Sequence, residues 1–319
     1  MEFNKQPLSY QDQLEVWKKR GLIITDEARA IRYLTNVSYY RLSAYAIPLQ
    51  SEKDKFYEGT TFNDILNLYI FDRELRLIVF NAVERIEIAI RSIIIQKLAM
   101  KYGSHWQDNR EIFKPAKEIL NKRTNRKFIL DVFEDIQKII RDAGREKNPE
   151  TFIKHYKENY TKPVNPPSWM CLEILTLGQL SRLYDSLKHN ADKNEIAQHF
   201  NLYHKSFGSW LHTLTYARNI ACHHGRLWNR EFGIPAVWPK NMKNNWLTND
   251  FKSITSRPFY TLGIIKYFLN TVNPTHSFKE NLVNLIKKYP DTPIQYMGIP
   301  SIDGKSDKLI NWEEQDLWR

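Results

Sequence analysis

Residues 218–230, with the sequence RNIACHHGRLWNR, place two adjacent histidines among arginines at what the apolar pattern predicts to be the end of a helix. An arginine guanidinium can hold a phosphate through two parallel hydrogen bonds and stabilise charge that develops on it. A histidine imidazole exchanges protons near neutral pH. Arg218 and His223 are therefore candidates for a phosphoryl-transfer pair, and the alternatives are a metal site or surface charge without a chemical role. With RNA as substrate, the nucleophile is the substrate's own 2′-hydroxyl, and no metal ion or cofactor is required. The expected products carry a 2′,3′-cyclic phosphate and a 5′-hydroxyl.

The helix predicted over about 206–224 separates the two side chains. Residues on a helix turn by about 100° each, so Arg218 and His223 diverge by about 140°. Two arrangements would bring them together. In the first, the last turn unwinds ahead of Gly225, the expected helix stop. In the second, two copies of the motif meet across a symmetric interface, which predicts a homodimer.

Other chemistries at the same residues are disfavoured by helix geometry. Cys222, His223 and His224 are consecutive, so their side chains point about 100° apart and do not converge on one metal ion. Cys222 lies nearer the apolar side of the helix, where thiols tend to be inert. A second arginine–histidine pair, Arg182 and His189, lies on an ordinary amphipathic helix and is set aside. We predict no metal site.

The formal net charge of +11 suggests a polyanionic partner, and nucleic acid is the commonest one. Part of this excess is local, because residues 114–127 hold a cluster of basic side chains opposed only by Glu118. These are Lys114, Lys117, Lys122, Arg123, Arg126 and Lys127. The cluster is either an arm that contacts RNA phosphates or a solvated helix face. Arg226 and Arg230, which follow the helix stop, are further candidate RNA contacts.

Apolar residues recur at helical spacing along nearly the whole 319-residue chain, and no strand pattern competes, so the predicted fold class is all-α. The expected domain organisation has three parts. Residues 1–60 form an N-terminal helical segment. Residues 61–230 form a helical core with a basic helical insertion at about 104–165. Residues 231–319 form a loop and a helical extension that packs on the core and ends in an irregular tail.

Two helices of this core are expected to be long. The first spans 61–101, beginning at Thr61 or Asn63 and ending at Gly103. It carries Glu84 and Glu87. The second spans about 168–188.

Four segments in this order resemble the Abi-like family of bacterial abortive-infection proteins, the AbiD and AbiF group. They are SYYRLSAYAIPL, FDRELRLIVFNAVERIEIAIRS, PSWMCLEILTLGQLSRLY and ARNIACHHGRLWNR. The last of them is similar to the R-x4-6-H signature of the HEPN superfamily, with the polar Asn219 after Arg218. The resemblance covers roughly residues 8–240 and is weaker over the insertion. It implies a HEPN helical bundle with an antiviral or toxin role and metal-independent RNA cleavage.

The resemblance also assigns roles to individual residues. Arg218 becomes the phosphate-binding arginine, Asn219 the polar residue that orients the site, and His223 the acid–base histidine. His224 is able to substitute for His223 or to assist it. Glu84 or Glu87 either hydrogen-bonds Arg218 or forms an ion pair with a neighbouring arginine of its own helix.

The N-terminus lacks the apolar stretch of a signal peptide, and the most apolar run is too short to cross a membrane. Two cysteines provide no disulfide framework and fit a cytoplasmic protein. The predicted function is therefore a cytoplasmic phage-defence or toxin-type ribonuclease. The alternative is a protein that binds a small noncoding RNA, as antitoxin or guide, without cleaving it.

Overall fold

The computed structural model describes residues 2, 6–121, 124–240, 242, 245–303 and 308–319, and over these residues the fold is dominated by α-helices. The all-α prediction is confirmed. The helices are α1 (Tyr10–Lys19), α2 (Glu27–Val37), α3 (Tyr39–Ala46), α4 (Phe62–Tyr102), α5 (Val132–Ala143), α6 (Thr151–Asn159), α7 (Ser168–Cys171), α8 (Leu177–Ser186), α9 (Asn190–Gln198), α10 (His204–Cys222), α11 (Pro258–Val272) and α12 (Phe278–Lys288). Four short strands form two hairpins: β1 (Gln50–Glu52), β2 (Lys55–Phe56), β3 (Lys117–Asn121) and β4 (Arg126–Leu130).

Helix α4 is the central element, because α3, α9, α10, α11 and α12 all pack against it. It begins where the sequence predicts. The side chain of Thr61 accepts a hydrogen bond from the backbone of Asp64, whose carboxylate accepts one from the Thr61 backbone. It ends at Gly103, which has a φ of 90° that a glycine adopts without strain. Ile86, Ile90 and Ile94 are fully buried at helical spacing, so α4 supplies the rigid wall beside α10.

The predicted helix over 168–188 is wrong. The chain forms the single turn α7, then a 3-10 turn over Leu172–Ile174, and only then α8. The interruption has a local cause at Thr176. Its side chain caps α8 by accepting from the Gln179 backbone, and the Gln179 side chain accepts from the Thr176 backbone at 2.7 Å. This reciprocal cap starts a new helix in the middle of an apolar run.

The insertion at 104–165 contains α5 and α6, but its basic run is not a helix. β3 and β4 pair antiparallel, with Lys117 opposite Leu130 and Asn121 opposite Arg126. The expectation that no strand competes is therefore wrong here, and so is the solvated-helix interpretation of residues 114–127. Ile119 and Phe128 favour extended backbone, and Asn125 takes the positive φ that a tight turn requires.

Residues after the motif helix return to the core. α11 packs against both α4 and α10, and its side chains Phe259, Ile264 and Phe268 are almost completely buried. The tail contributes Trp318, which is inaccessible to solvent and stacks on Phe278. Within the described part of the chain, no helix is both long enough and apolar enough to span a bilayer.

Candidate functional site

Helix α10 presents the motif by burying one face and exposing another. Trp210, Leu214 and Ala217 are inaccessible to solvent and fix the helix in the core. The neighbouring stripe is exposed along its whole length and consists of His212, Tyr216, Asn219 and His223. We call this set the polar stripe. Side chains that hydrogen-bond and exchange protons therefore line an open surface.

Arg218 lies beside the polar stripe and faces α4. Its Nε is 4.0 Å from Oε2 of Glu87, and 32% of its side chain is exposed. Oε1 of Glu87 accepts a hydrogen bond from Arg91 at 3.1 Å. The structure thus places Glu87 between two guanidinium groups: it forms the ion pair with Arg91 of its own helix, whereas its 4.0 Å separation from Arg218 is too long for a hydrogen bond. Glu84 is exposed.

The guanidinium groups of Arg91 and Arg218 differ in solvent exposure and in the number of their partners. Arg91 is only 11% exposed and donates a further hydrogen bond to the carbonyl of Leu175 at 2.9 Å. Arg218 is the more accessible of the two and faces a single carboxylate. Because Glu87 is held by Arg91, it can orient Arg218 while leaving the Arg218 donors accessible to a ligand.

The end of α10 does not unwind. The helix runs to Cys222, and the backbone amide of His223 still bonds the carbonyl of Asn219 at 3.0 Å. His223 therefore stays on the polar stripe and diverges from Arg218, as a regular helix requires. The first of the two arrangements, an unwound last turn, is therefore not observed, and the symmetric one stays a prediction.

The helix stop is formed by His224 rather than by a glycine. His224 has a φ of 56°, and Gly225 donates back to the carbonyl of Ile220 at 2.8 Å. A left-handed conformation is uncommon for a residue with a Cβ, so it must be held by its surroundings. Arg41 of α3 supplies part of this support by donating to the carbonyl of His224.

Both imidazoles at this helix end are exposed, and within the described ranges neither imidazole ring forms a hydrogen bond or an ion pair. Their ring nitrogens are therefore accessible to a ligand. Asn219 is exposed one turn earlier. The same described residues contain no group of three or more histidine, cysteine or acidic side chains arranged to hold a metal ion.

A buried charge network anchors the segment that follows the motif. Oδ1 of Asp72 accepts hydrogen bonds from the backbone amides of Leu227 at 2.9 Å and Trp228 at 2.8 Å. Oδ2 accepts from the hydroxyl of Tyr45 at 2.6 Å and from Arg76. Burial and the adjacent carboxylate raise the pKa of Tyr45, so this hydroxyl keeps its proton. The network ties α3, α4 and the end of the motif together.

Asp72 and Arg76 were missed as site residues. They lie four residues apart on α4, next to Leu75 and Val79, which face the core. A charged pair on an apolar stripe is the signal that would have found them, because an ionised side chain is rarely buried without a specific partner.

The predicted RNA contacts after the helix have structural partners. Arg226 donates to the carbonyl of Ala44. Arg230 donates to the hydroxyl of Tyr216 at 3.2 Å, and its guanidinium lies 5.6 Å from the centre of that ring. Arg230 thereby borders the polar stripe, whereas Arg226 supports the backbone. Their contact with RNA stays a prediction.

The basic residues of the insertion fall into two groups. Lys117, Arg126 and Lys127 are exposed on the β3–β4 hairpin, where Lys127 also contacts Glu118 at 2.9 Å. Lys122 and Arg123 lie outside the described residues. Lys114 precedes the hairpin and lines a cavity together with His212 of the polar stripe. Among the members of this run that the structure describes, only Lys114 is brought to the motif helix.

Comparison with known proteins gives one match. Residues 32–229 match the family model described as Abi-like protein. The matched range contains α3, α4 and α10, and hence every side chain of the site except Arg230. Neither the curated proteins nor the solved structures contain a significant match to this chain.

Proposed function

The chain belongs to the Abi-like protein family, and from this premise we propose that it is an abortive-infection or toxin-type HEPN ribonuclease that cleaves RNA without metal. Membership of this family points to phage defence in general. The finer assignment is supported by one observation: Arg218 and the unpartnered imidazole of His223 are accessible on the same end of α10.

The proposed reaction is a transesterification within the RNA strand. A neutral imidazole removes the proton of the 2′-hydroxyl, and the 2′-oxygen attacks the adjacent phosphorus. The bond from phosphorus to the 5′-oxygen breaks, and a protonated imidazole supplies the proton to that leaving oxygen. Arg218 holds the non-bridging oxygens and stabilises their added negative charge. The products are a 2′,3′-cyclic phosphate and a 5′-hydroxyl.

This reaction uses two imidazoles and at least one guanidinium around one phosphate. In a single chain, Arg218 and His223 lie on different stripes of a regular helix. A second copy related by twofold symmetry supplies the missing groups. Exposed apolar side chains on the neighbouring helix α4 favour such an interface, since Leu77 and Ile88 are each 55% exposed and Phe80 is 41% exposed.

A mixing experiment tests the homodimer. Arg218→Ala and His223→Ala chains are each expected to be inactive alone. If the site is composite, their mixture forms heterodimers that retain one Arg218 and one His223 on opposite chains, with His224 as the second imidazole, so RNA cleavage should rise above that of either variant. A site confined to one chain predicts no recovery, because each chain lacks one of the two groups.

The charge of Glu87 should limit RNA affinity. Glu87→Gln removes a negative charge 4.0 Å from Arg218, and we expect the dissociation constant for an uncleavable 2′-O-methyl RNA to fall roughly two- to fivefold. Glu84→Gln is the matched control, because it makes the same charge change on the same helix at an exposed position. Equal effects of the two variants would show that Glu87 does not act through Arg218.

The alternative function is an RNA-binding protein that forms a complex with a small noncoding RNA and does not cut it. Exposed Lys117, Arg126 and Lys127 on the hairpin favour RNA contact without requiring chemistry. Incubation of the purified protein with total RNA in EDTA separates the two functions. Cleavage under these conditions supports the enzyme. Intact RNA, bound with an affinity that weakens as salt rises, supports the complex.

A further inference from the structure

A cavity of about 490 Å³ lies at the beginning of α10, away from the helix end that carries Arg218 and His223. Its wall is formed by α8, α9, the first turns of α10 and Lys114. Basic side chains dominate this wall, and Asp185 is its acidic member. We call it the lysine pocket, and its charged and polar side chains include Lys114, Lys193, Lys205, His204, His212 and Asp185.

Two ammonium groups of the lysine pocket share one acceptor. Nζ of Lys193 and Nζ of Lys114 each donate to the backbone carbonyl of Asp185 at 2.7 Å. Lys193 is only 7% exposed. A buried lysine is costly unless it is paired with an opposite charge, and a carbonyl oxygen does not neutralise it. Within the described residues the bond to this carbonyl is the one hydrogen bond that each ammonium group forms, and the Asp185 carboxylate counters the lowered pKa of Lys193 less than burial and Lys114 lower it.

The pKa values of two side chains in the pocket reflect the same excess of positive charge. Burial, reinforced by the neighbouring Lys114, lowers the pKa of Lys193 to about 8. Burial and the charges of Lys193 and Lys205 lower the pKa of His204. The first turn of α10 begins at His204 and adds the partial positive charge of a helix N-terminus. The positive charges of these groups repel one another. A bound anion would therefore lower the electrostatic energy of the pocket.

We propose that the lysine pocket is a binding site for a phosphate group. Ammonium groups and a helix N-terminus are the groups that bind phosphate in proteins, and the cavity is larger than a phosphate alone. The phosphate belongs either to the RNA strand that the proposed function places on α10 or to a free nucleotide.

The RNA strand as the source of the phosphate rests on the proposed function, and the geometry of α10 supports it. His212 lines the lysine pocket and is the first member of the polar stripe. A second cavity, of about 270 Å³, shares His212 with the pocket and extends along α10 to Tyr216. His212 and His223 are roughly 16 Å apart along the helix axis. A strand lying along the polar stripe would reach from the lysine pocket to the motif end.

Calorimetric titration of the full chain tests the proposal with two probes, adenosine 5′-monophosphate and a 2′-O-methyl RNA dodecanucleotide that cannot be cleaved. Two variants are compared with the wild-type chain. Lys193→Met removes the buried charge at similar side-chain volume, and Lys114→Gln removes the charge of an exposed side chain. Lys154→Gln on α6 is the control, because its side chain is 64% exposed and lies outside the pocket. We expect a loss of affinity of roughly tenfold or more in both pocket variants and little change in the control.

The pattern of losses identifies the source of the phosphate. Weaker binding of the dodecanucleotide alone assigns the pocket to the RNA strand. Weaker binding of the mononucleotide assigns it to a free nucleotide. Unchanged affinity for both probes in both variants, or failure of the wild-type chain to bind either, overturns the proposal. If Lys193→Met does not fold, Lys114→Gln decides. None of these readouts requires cleavage, so the pocket and the ribonuclease can fail independently.

Discussion

Replacing Arg218 or His223 by alanine is expected to lower the rate of RNA cleavage by a factor of about 10² to 10⁴. Arg218 is the accessible guanidinium beside Glu87, and His223 carries an exposed imidazole at the end of α10. Neither side chain is part of the core, so the free energy of unfolding should change little. Cleavage of a labelled RNA, measured together with urea unfolding of each variant, checks both parts of the prediction.

The chain contains a matched control for this experiment. Arg182 and His189 satisfy the looser arginine–histidine spacing, but Arg182 pairs with Asp135 of α5 on another surface. Arg182→Ala and His189→Ala should therefore retain cleavage. His224→Gly reports on the second imidazole, because glycine adopts the positive φ of this residue without strain. Full activity of the Arg218→Ala variant would show that the guanidinium takes no part in cleavage.

Replacing Asp72 by alanine is expected to destabilise the protein by about 3–5 kcal/mol. Asp72 is inaccessible to solvent and accepts hydrogen bonds from four groups. Its removal leaves the buried guanidinium of Arg76 and the backbone amides of Leu227 and Trp228 without their partner. The free energy of unfolding, obtained from urea denaturation, measures the effect.

Glu158→Ala provides the comparison for Asp72→Ala. Glu158 forms an ion pair with Lys154 at 3.9 Å, but both side chains are at least 60% exposed, so its loss should cost at most about 1 kcal/mol. A similar cost for the two variants would show that the Asp72 network does not anchor the end of the motif.

Local signals allowed most of the helical fold to be predicted from the sequence. The reciprocal cap at Thr61 and the glycine at 103 determine both ends of α4, and both are visible in a short window. The same kind of signal existed at Thr176 and Gln179, where it was overlooked because the apolar pattern continues through it. An apolar repeat over 168–188 therefore did not establish helix continuity.

The hairpin was harder to predict. β3 and β4 are largely exposed on both faces, so they lack the alternation of apolar and polar residues that marks a half-buried strand. Their pairing depends on the turn at Asn125 and on cross-strand contacts such as Lys127 with Glu118. A dense run of basic residues is equally compatible with a helix when only the sequence is considered.

The candidate site was predicted where its residues are close in sequence. Arg218, Asn219 and His223 lie close together at the end of one helix, so their spacing and the family resemblance of the surrounding segments could select them, and their roles stay a prediction. Asp72 carried a local signal through Arg76, but its contact with the motif segment, like the position of Lys193, could not be predicted from spacing. Their neighbours, Trp228 and Lys114, are distant in the sequence, and only the packing of α4, α8, α9 and α10 brings them together.

The measurement that most directly tests the account is cleavage of an RNA oligonucleotide carrying a single 2′-deoxy nucleotide at its cleavage site, in EDTA. If Arg218 and His223 act on a strand whose own 2′-hydroxyl is the nucleophile, this one substitution abolishes cleavage at that position. The all-ribose oligonucleotide is then cut to a 2′,3′-cyclic phosphate and a 5′-hydroxyl. Cleavage of the substituted strand, or products that carry a 5′-phosphate, would contradict the mechanism.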